Sequence, residues 1–166
     1  MVIRLLLDTN IYGKIIEDEL EDQIIEKMFL HKHDFIIYGI RLIRKEIRAA
    51  PKHTRDRYNL RFALLKLYDV LTNGHELEIK PLANNLAVLY YKEYRKNGGS
   101  VSWKDIKSDM LIVAEATISK LDIVVSEDNR TMLANTAVKA YYSVNKIHNL
   151  ITPNFIGYDN FKRKLL

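Results

Sequence analysis

The chain contains no cysteine. Disulfides and thiolate zinc sites are therefore excluded, and the absence fits a reducing compartment. Glycine and proline are scarce, six and three among 166 residues, so there is no material for a Gly- or Pro-rich linker. No stretch approaches the ~18 uninterrupted apolar residues of a membrane span. The opening Met1-Val2-Ile3-Arg4 runs straight into a strand pattern, without the apolar region and small-residue cleavage site of a signal peptide. Together these absences give the expectation of a soluble, cytoplasmic protein with no membrane partner. The histidines His31, His33, His53, His75 and His148 fall in no metal-binding spacing. They are expected on the surface or in loops.

What is present is a hydrophobic content of 48%, enough for one core and one domain over residues 1–166. Net charge is +5 and the sequence pI is about 9.3, a balance compatible with a polyanionic partner. Many basic proteins bind no nucleic acid, so the charge alone decides little.

Apolar periodicity orders the elements. After a strand at Val2 to Leu7, residues 11–30 read as one helix and Phe35-Ile36-Ile37-Tyr38 as a strand. Ile40, Ile43, Ile47 and Ala50 then recur at helical spacing until Pro51 ends the pattern. A basic helix is expected over residues 54–71, a turn at Asn73-Gly74 and a short strand at Leu77-Glu78-Ile79. Residues 82–96 read as a helix ended by Asn97-Gly98-Gly99. Ser102-Trp103-Lys104-Asp105 reads as a cap opening an apolar helix to about Lys120. A strand at Ile123-Val124-Val125, a helix over residues 130–144 and a last strand around Leu150-Ile151 follow. Strands alternating with helices predict a central parallel β-sheet flanked by helices. Residues 48–72 read as a helical insertion on that core.

Two strands end on acids. Val2 to Leu7 stops at Asp8-Thr9-Asn10, and Ile123-Val124-Val125 runs into Ser126-Glu127-Asp128. In open α/β sheets ligands collect at the carboxyl ends of strands. Glu46 borders the apolar stripe of the second helix. Asp109 opens the run Met110-Leu111-Ile112-Val113-Ala114. Four carboxylates converging in one place repel, and Mg²⁺ or Mn²⁺ are the natural guests of an all-oxygen site.

The segments Leu5-Leu6-Leu7-Asp8-Thr9-Asn10, Glu46, Asp109 to Ala116 and Val124-Val125-Ser126-Glu127-Asp128 resemble, in order, the four signature segments of the PIN-domain ribonucleases, which include the VapC-like toxins. Ile151-Thr152-Pro153-Asn154-Phe155 resembles the closing strand and Pro-containing turn of that family. The resemblance implies a PIN-like three-layer α/β fold with the first strand central. It also implies an Mg²⁺ or Mn²⁺ site and hydrolysis of RNA phosphodiester bonds. An antitoxin protein and a homodimer are the partners it implies. Asp8, Glu46, Asp109 and Asp128 would be the catalytic and metal-binding acids, and Asn10 and Ser126 would line the site.

Each residue also has a plainer reading. Asp8 and Asp128 are good helix caps, and Glu46 alone is more often a solvated helix residue. Asp105, one turn before Asp109, competes with it. Arg44, Arg48, Arg55 and Arg57 belong to a basic run that is either a solvated helical face or a surface tracking RNA phosphates. Tyr90, Tyr91, Tyr94, Tyr141 and Tyr142 are packing residues or base-stacking platforms. A PIN-fold module that binds RNA or protein without turnover is the alternative to a nuclease.

Overall fold

The computed structural model describes residues 2–51 and 59–165. Five strands form one parallel sheet in the order β3-β2-β1-β4-β5. They are β1 (Ile3–Leu7), β2 (Phe35–Ile40), β3 (Glu76–Leu77), β4 (Ile123–Val125) and β5 (Asn154–Ile156). From β1 the chain first builds outward through β2 and β3, then returns to β1's other side with β4 and β5. The topological switch point therefore lies between β1 and β4, and in open α/β sheets ligands bind outside the strands' carboxyl ends at such a point. Register sharpens this placement. Leu7 pairs with Val125, so the residues that follow, Asp8 and Ser126, leave the sheet side by side. The Asp8 N–H donates to the Val125 carbonyl at 2.9 Å.

Helices cover the sheet in two groups. α1 (Thr9–Glu17), α2 (Glu21–Leu30), α3 (Arg41–Ala49) and α4 (Leu60–Thr72) pack together, while α5 (Pro81–Lys96) contacts α6 (Trp103–Ile118) and α7 (Asn135–Ile147). α8 (Tyr158–Leu165) lies against α2. The core runs through both groups. Leu6, Leu7, Ile11, Ile43, Ile112, Val113 and Val124 have no solvent exposure, as expected for strands buried on both faces. α4, the described part of the segment read as an insertion, contributes Leu64, Leu67, Tyr68 and Leu71 to this core. Its Tyr68 hydroxyl stands 2.8 Å from Glu76 Oε2 and 3.2 Å from the Ile40 carbonyl, and its one proton can go to either. A Cβ at Gly39 would run into that hydroxyl, so glycine in β2 lets α4 approach the sheet.

Several boundaries differ from the sequence reading. The helix expected over residues 11–30 is two helices. Asp18 is extended (φ −78°, ψ 133°), and its carboxylate accepts from the Leu20 N–H, the Tyr158 hydroxyl and Lys162. Local turn formation and a distant cation together break the helix there. The helix expected from residue 130 begins at Asn135, because residues 128–133 close a turn through Leu133 N–H to the Asp128 carbonyl at 2.8 Å. The last strand is not at Leu150-Ile151. Asn149 is left-handed (φ 54°), Ile151 is 84% exposed, and Pro153 has no N–H to give. Pairing starts with Asn154 N–H on the Asp122 carbonyl at 2.9 Å. α8 was not anticipated. Residues 54–58 of the basic helix expected over 54–71, Arg55 and Arg57 among them, lie outside the described residues.

Candidate acidic site

Asp8 is buried at 5% exposure and uses its two oxygens differently. Oδ1 accepts from the Thr9 N–H at 2.7 Å, the cap that the plainer reading expected. Oδ2 accepts from Asn10 Nδ2 at 2.7 Å and from the Ser126 hydroxyl at 2.7 Å. Asn10 also takes the Glu127 N–H on its Oδ1 at 3.1 Å, so it pegs the loop after β1 to the loop after β4. Ser126 Oγ in turn accepts the Asp128 N–H at 3.1 Å. Both residues expected to line the site therefore hold Asp8 in place.

Glu46 projects from α3 between the buried Ile43 and Ile47 and is partly exposed. The Thr9 hydroxyl donates to its Oε2. Asp128 is bound by its own turn: Oδ1 accepts the Arg130 and Thr131 N–H groups, each at 2.9 Å, and Oδ2 the Thr131 hydroxyl at 2.6 Å. Asp109 stands between Ile106 and Met110, both buried. Asp105, its competitor, is exposed and caps α6 with Ser102, whose hydroxyl donates to it at 2.6 Å. Three hydroxyls, from Thr9, Ser126 and Thr131, thus stand against the acids. Sequence reasoning had singled out only Ser126. Asp128 and Thr131, three apart, fit a local side-chain turn, which was a readable signal for Thr131.

The electrostatics tie the four acids together. Burial pushes the Asp109 carboxyl up to about 7, aided by the charges of Asp8, Asp128 and Glu46, although a hydrogen bond from Thr131 opposes the rise. Burial likewise pushes Asp8 up to about 6, with Glu46 and Asp128 contributing and the Ser126 and Thr9 hydrogen bonds opposing. Among the described residues, no Lys, Arg or His pairs with any of the four. Nor, among those residues, do three His, Asp or Glu side chains stand at the spacing of ligands around one ion.

Most of the basic residues near this edge have partners of their own. Arg44 binds both oxygens of Asp69 and lies 5.6 Å from the Tyr68 ring centre. Arg41 pairs with Glu78 at 2.6 Å, and Arg61 donates to the Ala50 carbonyl at 2.7 Å. Arg48 is exposed. Tyr90, Tyr94 and Tyr141 are buried packing residues, with Tyr90 and Tyr141 edge to face at 4.9 Å.

No protein-family model matches the chain, and no curated protein does. Solved structures do. A chain of VapBC2 from Rickettsia felis, solved with a DNA fragment from its promoter, matches with a TM-score of 0.57 at 10% identity, covering 93% of this chain and 98% of that one. The DNA-bound VapBC of Salmonella typhimurium gives 0.57 at 15% identity, with 95% and 99% covered. The fold is PIN-like. FitAB bound to an IR36 DNA fragment gives 0.56 at 13% identity, covering 93% and 94%. At such identities the likeness is one of fold. The sequence contributes the acids, and the PIN-like frame has its switch point where β1 and β4 deliver two of them.

Proposed function

We propose that the chain is a metal-dependent endoribonuclease that hydrolyses RNA phosphodiester bonds, with Asp8, Glu46, Asp109 and Asp128 as its acids. What supports this reading is Asp8, held by Asn10 and Ser126 where β1 and β4 end, and Asp109, both carboxyls raised by burial first and by the charges of the other acids second, with no cationic partner among the described residues. The donor set suits a hard divalent cation such as Mg²⁺ or Mn²⁺, being carboxylate oxygen without thiolate or imidazole. Asp8, Glu46, Asp109 and Asp128 would hold it. A bound divalent cation supplies Lewis acidity toward an attacking water and a departing oxygen. The chain's own contribution is orientation: Asn10 and Ser126 fix Asp8, and Thr9 fixes Glu46. Arg48, Arg55 and Arg57 would meet the RNA backbone, while Arg44 is engaged with Asp69.

The neighbouring folds were solved as VapBC and FitAB complexes with DNA. That supports adding to the proposal a toxin role, an antitoxin protein as partner and a homodimer. A second reading, a PIN-fold module binding RNA or protein without turnover, is favoured by one observation: three acids at ion-holding spacing are not found among the described residues. Incubating the protein with generic RNA in Mn²⁺, with and without EDTA, separates the two. Cleavage that EDTA stops and Asp8→Asn abolishes supports the nuclease. Binding without cleavage supports the module.

A further inference from the structure

We infer that Glu127 is a positioning residue: by clasping the N-terminus of α8 it fixes the loop after β4 against Asn10, and through Asn10 it sets Asp8. For its effect on cleavage the inference rests on the nuclease reading above. Glu127 stands between Ser126 and Asp128 in sequence, yet its carboxylate serves another part of the molecule. Oε1 accepts the N–H of Tyr158, the first residue of α8, where backbone N–H groups have no partner within the helix. Gly157 makes room for this contact, since a Cβ there would stand 2.9 Å from the same oxygen. α8 is itself fastened to the body of the protein. Asp18 accepts from the Tyr158 hydroxyl at 2.9 Å and from Lys162 at 2.7 Å, and Tyr158, Phe161 and Leu165 are buried.

The backbone of Glu127 faces the acidic edge. Its N–H donates to Asn10 Oδ1 at 3.1 Å, and Asn10 Nδ2 donates to Asp8 Oδ2 at 2.7 Å. Three hydrogen bonds therefore run in series from Tyr158 through Glu127 and Asn10 to Asp8. A side-chain amide carries its acceptor oxygen and its donor nitrogen on two arms of one plane. Holding the oxygen aims the nitrogen, so the Glu127 N–H decides where Asn10 points. The sheet fixes the preceding residue, through Ser126 N–H on the Ile156 carbonyl at 3.1 Å. The side chain of Glu127 has its anchor on α8 alone, among the described residues. Without that anchor the residue keeps one attachment, and the amide plane of Asn10 is free to turn away from Asp8.

The test compares the wild type with Glu127→Ala, Glu127→Gln, Gly157→Ala and Tyr158→Phe, by NMR of the Asn10 side-chain amide and by cleavage of generic RNA in Mn²⁺. Glu127→Ala removes the acceptor for α8, and Glu127→Gln supplies a neutral one. The methyl of Gly157→Ala displaces the carboxylate without altering it. Tyr158→Phe loosens α8 at Asp18 while leaving the N–H on Glu127, so it reports what a purely structural role of α8 would do. Glu127→Ala and Gly157→Ala should shift the Asn10 amide signals and speed their exchange with solvent. Their kcat should fall roughly 10–100-fold, the scale of a misplaced reacting group, with KM for RNA unchanged. Glu127→Gln and Tyr158→Phe should stay near wild type in both readouts. An Asn10 amide unmoved by Glu127→Ala overturns the inference. So does an equal effect of Glu127→Ala and Tyr158→Phe, or a failure of Glu127→Gln to keep the signals in place. If the wild type cleaves no RNA, the nuclease reading falls, and the amide signals still decide whether α8 sets Asn10.

Discussion

Replacing Asp109 by Asn should make the metal-free protein more stable, and more so as pH rises. An acid whose folded pKa is raised opposes folding wherever the unfolded chain has already ionised. Unfolded Asp109 loses its proton near 3.8, while the folded chain keeps it until about 7. Across that window the folded state binds more protons, so stability falls with rising pH and levels off above about pH 7. The full difference between 3.8 and about 7 corresponds to about 4 kcal/mol. About 3 kcal/mol of it develops between about pH 5 and about pH 8.5. Asparagine keeps the size of the side chain and removes the charge. Urea unfolding in EDTA, at those two pH values, measures the effect directly. The variant should gain roughly 2–3 kcal/mol on the wild type at the higher pH relative to the lower. Asp18 and Asp122 have lowered pKa values, through Lys162 and Arg4 respectively. They contribute stability that disappears only as pH falls through the acidic range, so they cancel in the comparison. Parallel pH profiles for the two proteins would refute the reasoning, because Asp109 would then ionise as freely folded as unfolded.

Asp8→Asn should abolish Mn²⁺-dependent RNA cleavage while the circular dichroism spectrum is unchanged; undiminished turnover by the purified variant would defeat the assigned mechanism. Tyr141→Phe removes a buried hydroxyl that has no partner among the described residues and should raise urea stability by up to about 1–3 kcal/mol, whereas a loss of that size would reveal a hidden partner. Lys80→Met takes the ammonium from Glu115, which has no exposed surface and is held by Lys80 Nζ at 2.8 Å, but leaves the Lys80 N–H and the Ser119 hydroxyl donating to it at 2.8 and 2.7 Å. A destabilisation of roughly 1.5–3 kcal/mol, the worth of one hydrogen bond to a charged group, is expected in urea. Replacing Arg48, Arg55 and Arg57 together by Ala should weaken RNA binding and flatten its dependence on salt; an unchanged slope of affinity against salt would return those residues to a solvated face.

The parallel sheet was legible because its strands are short apolar runs bounded by polar turns, and because strand-helix alternation allows few topologies. The two acids at strand ends were legible for the same reason: a buried strand that stops on Asp8 or reaches Asp128 can only present it at the sheet's edge. Glu46 was placed by its distance from Ile43, and Asp109 by the apolar run beginning at Met110. What escaped depended on partners distant in sequence. The break at Asp18 rests on Lys162 and Tyr158, which no local pattern displays. Leu150-Ile151 reads as a strand from its side chains, yet Pro153 and the left-handed Asn149 move the pairing to Asn154. The basic run looked like one surface, but Arg41 and Arg44 spend their charge on Glu78 and Asp69.

Asn10 joins the loops after β1 and β4, and Ser126 reaches Asp8 across 118 positions of sequence. Contacts of such separation form late, since the chain must close a long loop before they stabilise anything. β1 can pair with β2 well before β4 has docked on its other side. Until then Asp8 lacks the Ser126 hydroxyl, and Asn10 lacks the Glu127 N–H that pegs the two loops. A half-folded molecule therefore carries every acid before Ser126 has reached Asp8, and this edge takes its final arrangement only when the central strand gains its second neighbour.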